Sequence, residues 1–433
     1  MPPKGSTNGK RKAALAAESS AKKPKTSNFT SEKLREPHEK AGESEKYGIV
    51  LRDFYPPEMS NARALAYNND EIPRPIKVLE DILEETKAER AKIEVKDAVV
   101  HWYKCDLRMK DNKSLYLASE KAKERGVPLI CMYIVSPQDF EAHLTAPVRV
   151  DFILRNLQVL REKLATMDIP LYVETVEKRK TIPGRVLELL ENWGANHLFA
   201  NVEYEVDELR REAKMVRACL DKGIAMDVVP DTCVVSPGEL QSGSGKQYAV
   251  YSPWFRAWVA HIHKNESLLD LFDEPAKNPG SARKTFAKLF DSKIPNAPDN
   301  KKLTDEEKKR FRSMWPPGED EAHARLRKFA DERIGKYKDK RNFPAENGTA
   351  CLSVHFASGT LSARTAIRTA RDKNSTQKLD AGNQGIMTWI SEVAWRDFYK
   401  HVMANWPYVW YVAKYPSSSS RTDGFQYEQT IQA

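Results

Sequence analysis

Short apolar runs alternate with amphipathic stretches from about residue 97 to 235. The runs are Ala98-Val-Val-His-Trp-Tyr, Pro128-Leu-Ile-Cys-Met-Tyr-Ile-Val135, Pro170-Leu-Tyr-Val173, His197-Leu-Phe-Ala and Ala225-Met-Asp-Val-Val229. Between them lie a polar segment to Arg125, helical patterns over about 148 to 167 and 184 to 193, and a charged helix starting at Asp207. Apolar strands in strict alternation with helices imply a parallel sheet covered on both faces. A doubly wound, Rossmann-like α/β domain is therefore predicted over 97–235. It carries no GxGxxG or GxxxxGK[ST] turn, which weakens a dinucleotide or nucleotide-phosphate reading.

The pattern then changes. Residues 236–317 are rich in Gly, Ser, Pro and Lys, including Gln241-Ser-Gly-Ser-Gly-Lys246, and predict a long interdomain connector with short helical pieces. Beyond Pro316-Pro317-Gly318 the period becomes helical, as in Glu321-Ala-His-Ala-Arg-Leu-Arg-Lys-Phe-Ala330, so an all-helical domain is expected over 318–409. The fold class is α/β followed by all-α. Residues 1–46 have almost no large apolar side chains and are expected to form a disordered basic tail. Residues 410–433, with the run Ser417-Ser-Ser-Ser, form a second tail.

At 433 residues, 40% hydrophobic and 30% charged, the composition suits two or three domains with sizeable cores. The apolar runs fall far short of the roughly 20 residues of a membrane span, so no integral membrane segment is expected. Five scattered cysteines without CxxC spacing suggest neither a disulfide framework nor a zinc site, and no metal is expected. The net charge is +9, and the first fifty residues hold 11 Lys+Arg against 6 Glu. The remainder is only mildly basic, which is compatible with a polyanion patch but does not require one. Within the tail, Lys10-Arg11-Lys12 and Lys22-Lys23-Pro24-Lys25 read as a two-part nuclear import signal. Nuclear localisation is the expectation, with a mitochondrial pool as the alternative.

The densest chemistry lies in Trp389-Ile-Ser-Glu392-Val-Ala-Trp395-Arg396-Asp-Phe-Tyr399-Lys. As a helix, it places Trp389, Glu392, Trp395, Arg396 and Tyr399 within an arc of roughly 120°. That face offers flat π-surfaces, one acid and one guanidinium. The opposite side carries Ile390, Val393, Ala394 and Phe398, so the helix is expected to pack on both sides, and a carboxylate there needs a partner or a task. The plain alternative is a core helix with an internal Glu/Arg ion pair. Upstream, Tyr337-Lys-Asp-Lys-Arg341-Asn342-Phe-Pro344 precedes a run of hydroxyl residues from Thr349 through Ser353 to Ser362. Such residues at helix starts cradle phosphates in some proteins, although they are more often only caps.

Four motifs stand in order: Asp106-Leu-Arg-x-x-Asp-Asn112, Tyr204-Glu-Val-Asp-Glu208, Tyr337-x-x-x-Arg-Asn-x-Pro344 and Trp389-x-x-Glu-x-x-Trp-Arg-x-Phe-Tyr399. Together they resemble the photolyase/cryptochrome family, and most of all a fungal class I cyclobutane pyrimidine dimer photolyase, over about 47 to 409. The resemblance implies an antenna-binding α/β domain and a helical FAD-binding domain. It implies that Tyr337 and the segment Thr349, Ala350, Cys351, Leu352 and Ser353 hold the flavin, with Trp389 and Arg396 lining the same pocket. Arg341 would contact the DNA strand, with Arg396 and Tyr399 also at the DNA. Glu392 would hydrogen-bond a flipped-out dimer and stabilise its radical anion, and Trp395 would be the wall against which the dimer packs. Asp207 and Glu208 stand where some members contact a folate antenna, although an acidic pair at a helix start also complements the helix dipole. The antenna, folate or deazaflavin, is left unresolved.

The implied reaction is light-driven repair of cyclobutane dimers by electron transfer from excited reduced FAD. UV-damaged DNA is the partner, and the protein is expected to be a monomer. The alternatives are a blue-light photoreceptor of the cryptochrome type, or an inactive product. Ala350 departs from the serine usual in the hydroxyl run. The family pattern also stops after Val409, and the Asp-Gly-Asp and Asn-Asn-Gly-Gly-Trp segments of full-length relatives are absent. The helical domain is therefore expected to be incomplete, truncated at its C-terminal side, with apolar helix faces left uncovered.

Overall fold

In this computed structural model, which describes residues 61–411 apart from Pro344, five strands form one wholly parallel sheet. They are β1 (Ala98–Tyr103), β2 (Leu129–Val135), β3 (Leu171–Thr175), β4 (Ala195–Asn201) and β5 (Ala225–Val229), in the order β3-β2-β1-β4-β5. Val100 sits in register with Ile130 on one side and Leu198 on the other. Because strand side chains alternate, Ala98, Val100 and Trp102 of β1 enter one core and Val99 and Tyr103 the other. Helices α2 (Lys113–Arg125) and α3 (Pro147–Thr166) close the second core, through residues such as Leu115 and Leu157. Helices α1 (Pro75–Glu85), α4 (Ile182–Asn192) and α5 (Val206–Leu220) close the first, through Leu79, Val186 and Val216. This is the doubly wound domain that the sequence predicts.

The basic clusters at 10–12 and 22–25, and the polar tail beyond 411, lie outside the described residues. Among the described residues no helix is long and apolar enough to cross a membrane.

The helical part contains α6 (Tyr251–Lys264), α7 (Asp305–Met314), α8 (Glu319–Glu332), α9 (Ala363–Asp372) and α10 (Gln384–Asn405). Its core is built around Trp254, Trp258, Leu326, Phe329, Ile367, Trp389 and Ile390. The sequence reading places 236–317 in a connector, yet α6 is a full 14-residue helix whose Trp254 and Trp258 are completely buried in this core. Its aromatic residues at 251, 254, 255 and 258 follow a helical period that the surrounding Gly- and Ser-rich composition obscures.

Asp106-Leu-Arg-x-x-Asp-Asn112 ties the two parts together. Arg108 pairs with Asp231, while Arg364 on α9 bonds Asp111 Oδ1 at 2.8 Å and Asp231 Oδ1 at 2.5 Å. All four side chains are buried. Asn112 and Asn201 donate to Asp106 Oδ2 at 3.1 and 2.6 Å, and Leu107 N–H donates to the Ser358 carbonyl at 3.1 Å. Farther along, Lys400 of α10 pairs with Glu205 at 3.0 Å, and Asp397 Oδ2 accepts from Val234 N–H at 2.7 Å.

Candidate functional site

Helix α10 begins at Asn383, whose side chain accepts from the N–H groups of Gly385 and Ile386. Trp389, Ile390, Val393, Ala394 and Phe398 are buried along it, and Glu392, Trp395, Arg396 and Tyr399 are half-buried. Trp389 therefore belongs to the core, its ring centroid 5.5 Å from that of Phe329, which in turn meets Tyr337 edge-on at 5.7 Å. Burial raises the Tyr337 phenol above its ordinary range, and the Glu392 charge pushes it the same way.

Glu392 and Arg396 do not form an internal pair. Arg341, which ends the short helix Tyr337–Lys340, reaches across to the Glu392 carboxylate. The Glu392 side chain keeps 38% of its surface exposed, so the pair lies at the rim of the helix face rather than in the core. Arg396 instead donates to the Thr232 carbonyl at 2.6 Å and lies 3.6 Å from Asp397 Oδ1, at the junction with the α/β domain. Trp395 stacks on Tyr251 of α6, with ring centroids 3.5 Å apart and planes 9° from parallel, and on Tyr399 at 5.6 Å. Tyr251, which the sequence pattern does not single out, thereby joins the candidate face.

The 349–353 segment alternates. Thr349, Cys351 and Ser353 are exposed while Ala350 and Leu352 are buried in the helical core, and Cys351 has a left-handed φ of 50°. Ala350 thus points its methyl group inward, so the serine it replaces would have contributed no hydroxyl to the exposed edge. A cavity of about 620 Å³ lies elsewhere, between Asp331, Ile334, Lys373, Asn383 and Ile386, and includes none of the candidate residues.

Asp207 and Glu208 open α5 in the α/β domain, close to the carboxyl ends of the strands where ligands of such sheets bind. Arg179 pairs with both, and His143 Nε2 lies 3.1 Å from Glu208 Oε1. Although burial opposes its charge, the hydrogen bond with Glu208 and the nearby carboxylates raise the His143 imidazolium to about 9. Burial and the adjacent Asp207 push the Glu208 carboxyl up. Burial opposes the Asp207 charge as well, but the hydrogen bond with Glu208 and the facing His143 and Arg179 hold that carboxyl low. Asp139, His143 and Glu208 offer ligand atoms within 4.8 Å of one another. Arg179 and Arg211 already pair with these acids, and a metal cation would have to displace them.

The fold is that of a two-part α/β and helical protein, and it aligns with solved structures of a class III photolyase from Agrobacterium tumefaciens and a cryptochrome from Synechocystis. Their TM-scores are 0.57 and 0.56, each at 22% identity, covering 72% and 71% of this protein and 59% and 61% of theirs. The family model described as DNA photolyase matches residues 99–276. The sequence is 61% identical over 390 residues to the deoxyribodipyrimidine photo-lyase of Neurospora crassa, covering 89% of this protein and 63% of that one. It is 27% identical to the mitochondrial deoxyribodipyrimidine photo-lyase of Saccharomyces cerevisiae, over 84% of its own length and 66% of the yeast protein. Residues 99–276 thus match the DNA photolyase family model, and similarity to these two photo-lyases runs through most of the sequence. The 433 residues span about two thirds or less of the length of these curated relatives.

Proposed function

We propose that the protein acts on UV-damaged DNA, reversing cyclobutane pyrimidine dimers with light. The observation that carries this reading is the juxtaposition, on one half-buried face of α10, of the Arg341–Glu392 pair and the stacked Trp395. A dimer stacks poorly in the duplex, and extruding it costs less than extruding a normal base. Trp395 offers it a flat apolar plate, and Glu392 offers an acceptor for its N–H groups. Arg341, held beside Glu392, supplies a cation for the phosphate of the same strand.

The residues of the 337–353 side suit one part of a flavin adenine dinucleotide site. Thr349 and Ser353 are exposed on a segment anchored by buried Ala350 and Leu352, and hydroxyl groups suit the phosphates. Tyr337 adds an aromatic edge. When bound, FAD would supply the visible-light absorption and the one-electron chemistry. The protein's contribution is to hold the dimer, exclude water from it and stabilise the negative charge that develops on it. Asp207 and Glu208 support an antenna site at the sheet's carboxyl edge, its occupant being a folate or a deazaflavin. The two basic clusters at 10–12 and 22–25 support delivery to the nucleus.

The decisive test is blue-light-dependent loss of dimers from an irradiated oligonucleotide incubated with the flavin-loaded 433-residue polypeptide. Repair in the light but not in the dark is expected. Absence of repair by a polypeptide that demonstrably carries flavin would remove the assignment.

A further inference from the structure

An indole plate has two π faces, and in this protein one face of Trp395 is already taken. Tyr251 lies on it with a centroid separation of 3.5 Å and an interplanar angle of 9°, the closest and flattest of the aromatic pairs among the described residues. Phe398 meets the same indole edge-on at 5.5 Å and Tyr399 stacks at 5.6 Å. Tyr251 is itself held from behind by Phe255, stacked at 5.5 Å, and by Trp254 at 5.9 Å. Its hydroxyl donates to the Ser391 carbonyl at 2.8 Å and shares a hydrogen bond with Ser391 Oγ at 2.7 Å. In the regular helix α10 that same carbonyl is the acceptor for Trp395's own N–H, and Ser391 immediately precedes Glu392.

We propose that Tyr251 is a positioning residue for lesion recognition, fixing the plane of Trp395 by stacking and the Ser391–Glu392 turn by hydrogen bonding, so that an extruded dimer meets an indole already held in place. The inference rests on the repair reading above and deepens it. A dimer that lands on a plate already immobilised does not bear the cost of freezing that side chain, a cost that otherwise weakens binding. Undamaged duplex, which is held through its phosphates and keeps its bases stacked, does not depend on the plate. Tyr251 therefore acts on the preference for damaged DNA more than on affinity as such.

The test compares binding of the 433-residue protein, at one ionic strength, to two duplexes identical except for a single thymine cyclobutane dimer in one. Tyr251→Phe keeps the ring and should keep most of the preference. Tyr251→Met fills a similar volume without a flat face and should reduce the preference about tenfold, with affinity for undamaged duplex and its salt dependence unchanged. The Trp395 contribution to near-ultraviolet circular dichroism should be largely retained in the first variant, whose ring still packs on the indole, and collapse in the second. If Tyr251→Met does not fold, Tyr251→His provides a smaller flat ring and should give an intermediate preference. A wild-type protein with no preference for the dimer sinks the repair reading and this inference with it. A wild-type preference that survives unchanged in the folded Met or His variant overturns the Tyr251 assignment alone, as does an equal loss on both duplexes.

Discussion

Arg341 and Glu392 are fifty-one positions apart in sequence, yet their side chains form an ion pair between the end of a one-turn helix and the middle of α10. Both remain substantially exposed, at 29% and 38% of their side-chain surface, and such pairs contribute about 0–1 kcal/mol to stability. Glu392→Ala should therefore leave the melting temperature within a few degrees of wild type. Its effect should appear in binding, where loss of an acceptor for the dimer costs about tenfold or more in affinity for damaged duplex. Titration of both duplexes, alongside a melting curve, checks this. A large drop in stability with unchanged preference would make the pair a structural strut.

A contrasting outcome is expected at the buried junction. Arg364 joins Asp111 on the β1–α2 loop to Asp231 after β5. Burial opposes its charge, yet the two acids outweigh that and raise the guanidinium above even its ordinary value. Arg364→Ala leaves two acids buried with one fewer cation, and the expected destabilisation is about 3–5 kcal/mol. Arg364→Lys should recover only part of it, because a point charge cannot make the forked contacts to both carboxylates. Urea unfolding of the three proteins measures the series. An Ala variant within about 1 kcal/mol of wild type would show that the junction is hydrated rather than closed.

How much of this was legible depended on the range of each signal. Strands β1 to β5 and helices α3 to α5 announce themselves through local period, since a covered parallel strand must be apolar along its whole length. The role of Asp106-Leu-Arg-x-x-Asp-Asn112 was not legible, because its meaning lies in Asp231 and Arg364, more than a hundred residues away, and no spacing rule links them. The same is true of Arg396. Its place in the motif suggests a pocket wall, and its neighbour Thr232 draws it to the domain junction instead. Helix α6 was readable in principle from Tyr251, Trp254, Phe255 and Trp258, but composition outweighed period in a segment dominated by Gly, Ser and Pro. Ala350 departs from a serine in the sequence pattern, whereas burial shows that its side chain faces the core.

Gly359 tests the close approach of the same junction. Its φ is 72°, and a Cβ there would overlap the carbonyl oxygen of Cys105 and the Cα of Asp106, both backbone atoms that cannot swing aside. Gly359→Ala thus combines a left-handed strain of about 1–2 kcal/mol with a steric clash. Destabilisation well above that of Ala at the open Gly126, where φ is 65° and nothing among the described residues lies within 4 Å, is expected in denaturant titrations. Equal losses at the two glycines would mean that the junction yields to the added methyl group.

His143 makes stability depend on alkaline pH. Its imidazolium is raised to about 9 against an unfolded value of about 6.5, so the folded state holds the proton more tightly. The associated stability is complete below about pH 6.5 and is lost as pH rises toward 9, by about 3 kcal/mol at most. His143→Gln should flatten this part of the profile, and the wild-type advantage over the variant should shrink between pH 6.5 and 9. A wild-type advantage that stays constant across that window would show that His143 gains no charge on folding.

Asp397 has the opposite sign. Burial pushes its carboxyl up to about 6 despite the nearby Arg396, the Val234 and Val235 N–H groups and the Trp258 indole. The folded state therefore favours the protonated acid, and keeping it ionised at neutral pH costs about 3 kcal/mol relative to an unfolded carboxylate near 3.9. That cost is absent below about pH 4, grows as pH rises, and is complete above about 6. Asp397→Asn keeps an oxygen acceptor for Val234 N–H and carries no charge. The variant should thus gain on wild type as pH is raised from 4 to 7, in unfolding experiments where contributions from all other groups cancel between the two proteins. A gap that does not change with pH would show that water or Arg396 already satisfies the buried carboxylate in its ionised form.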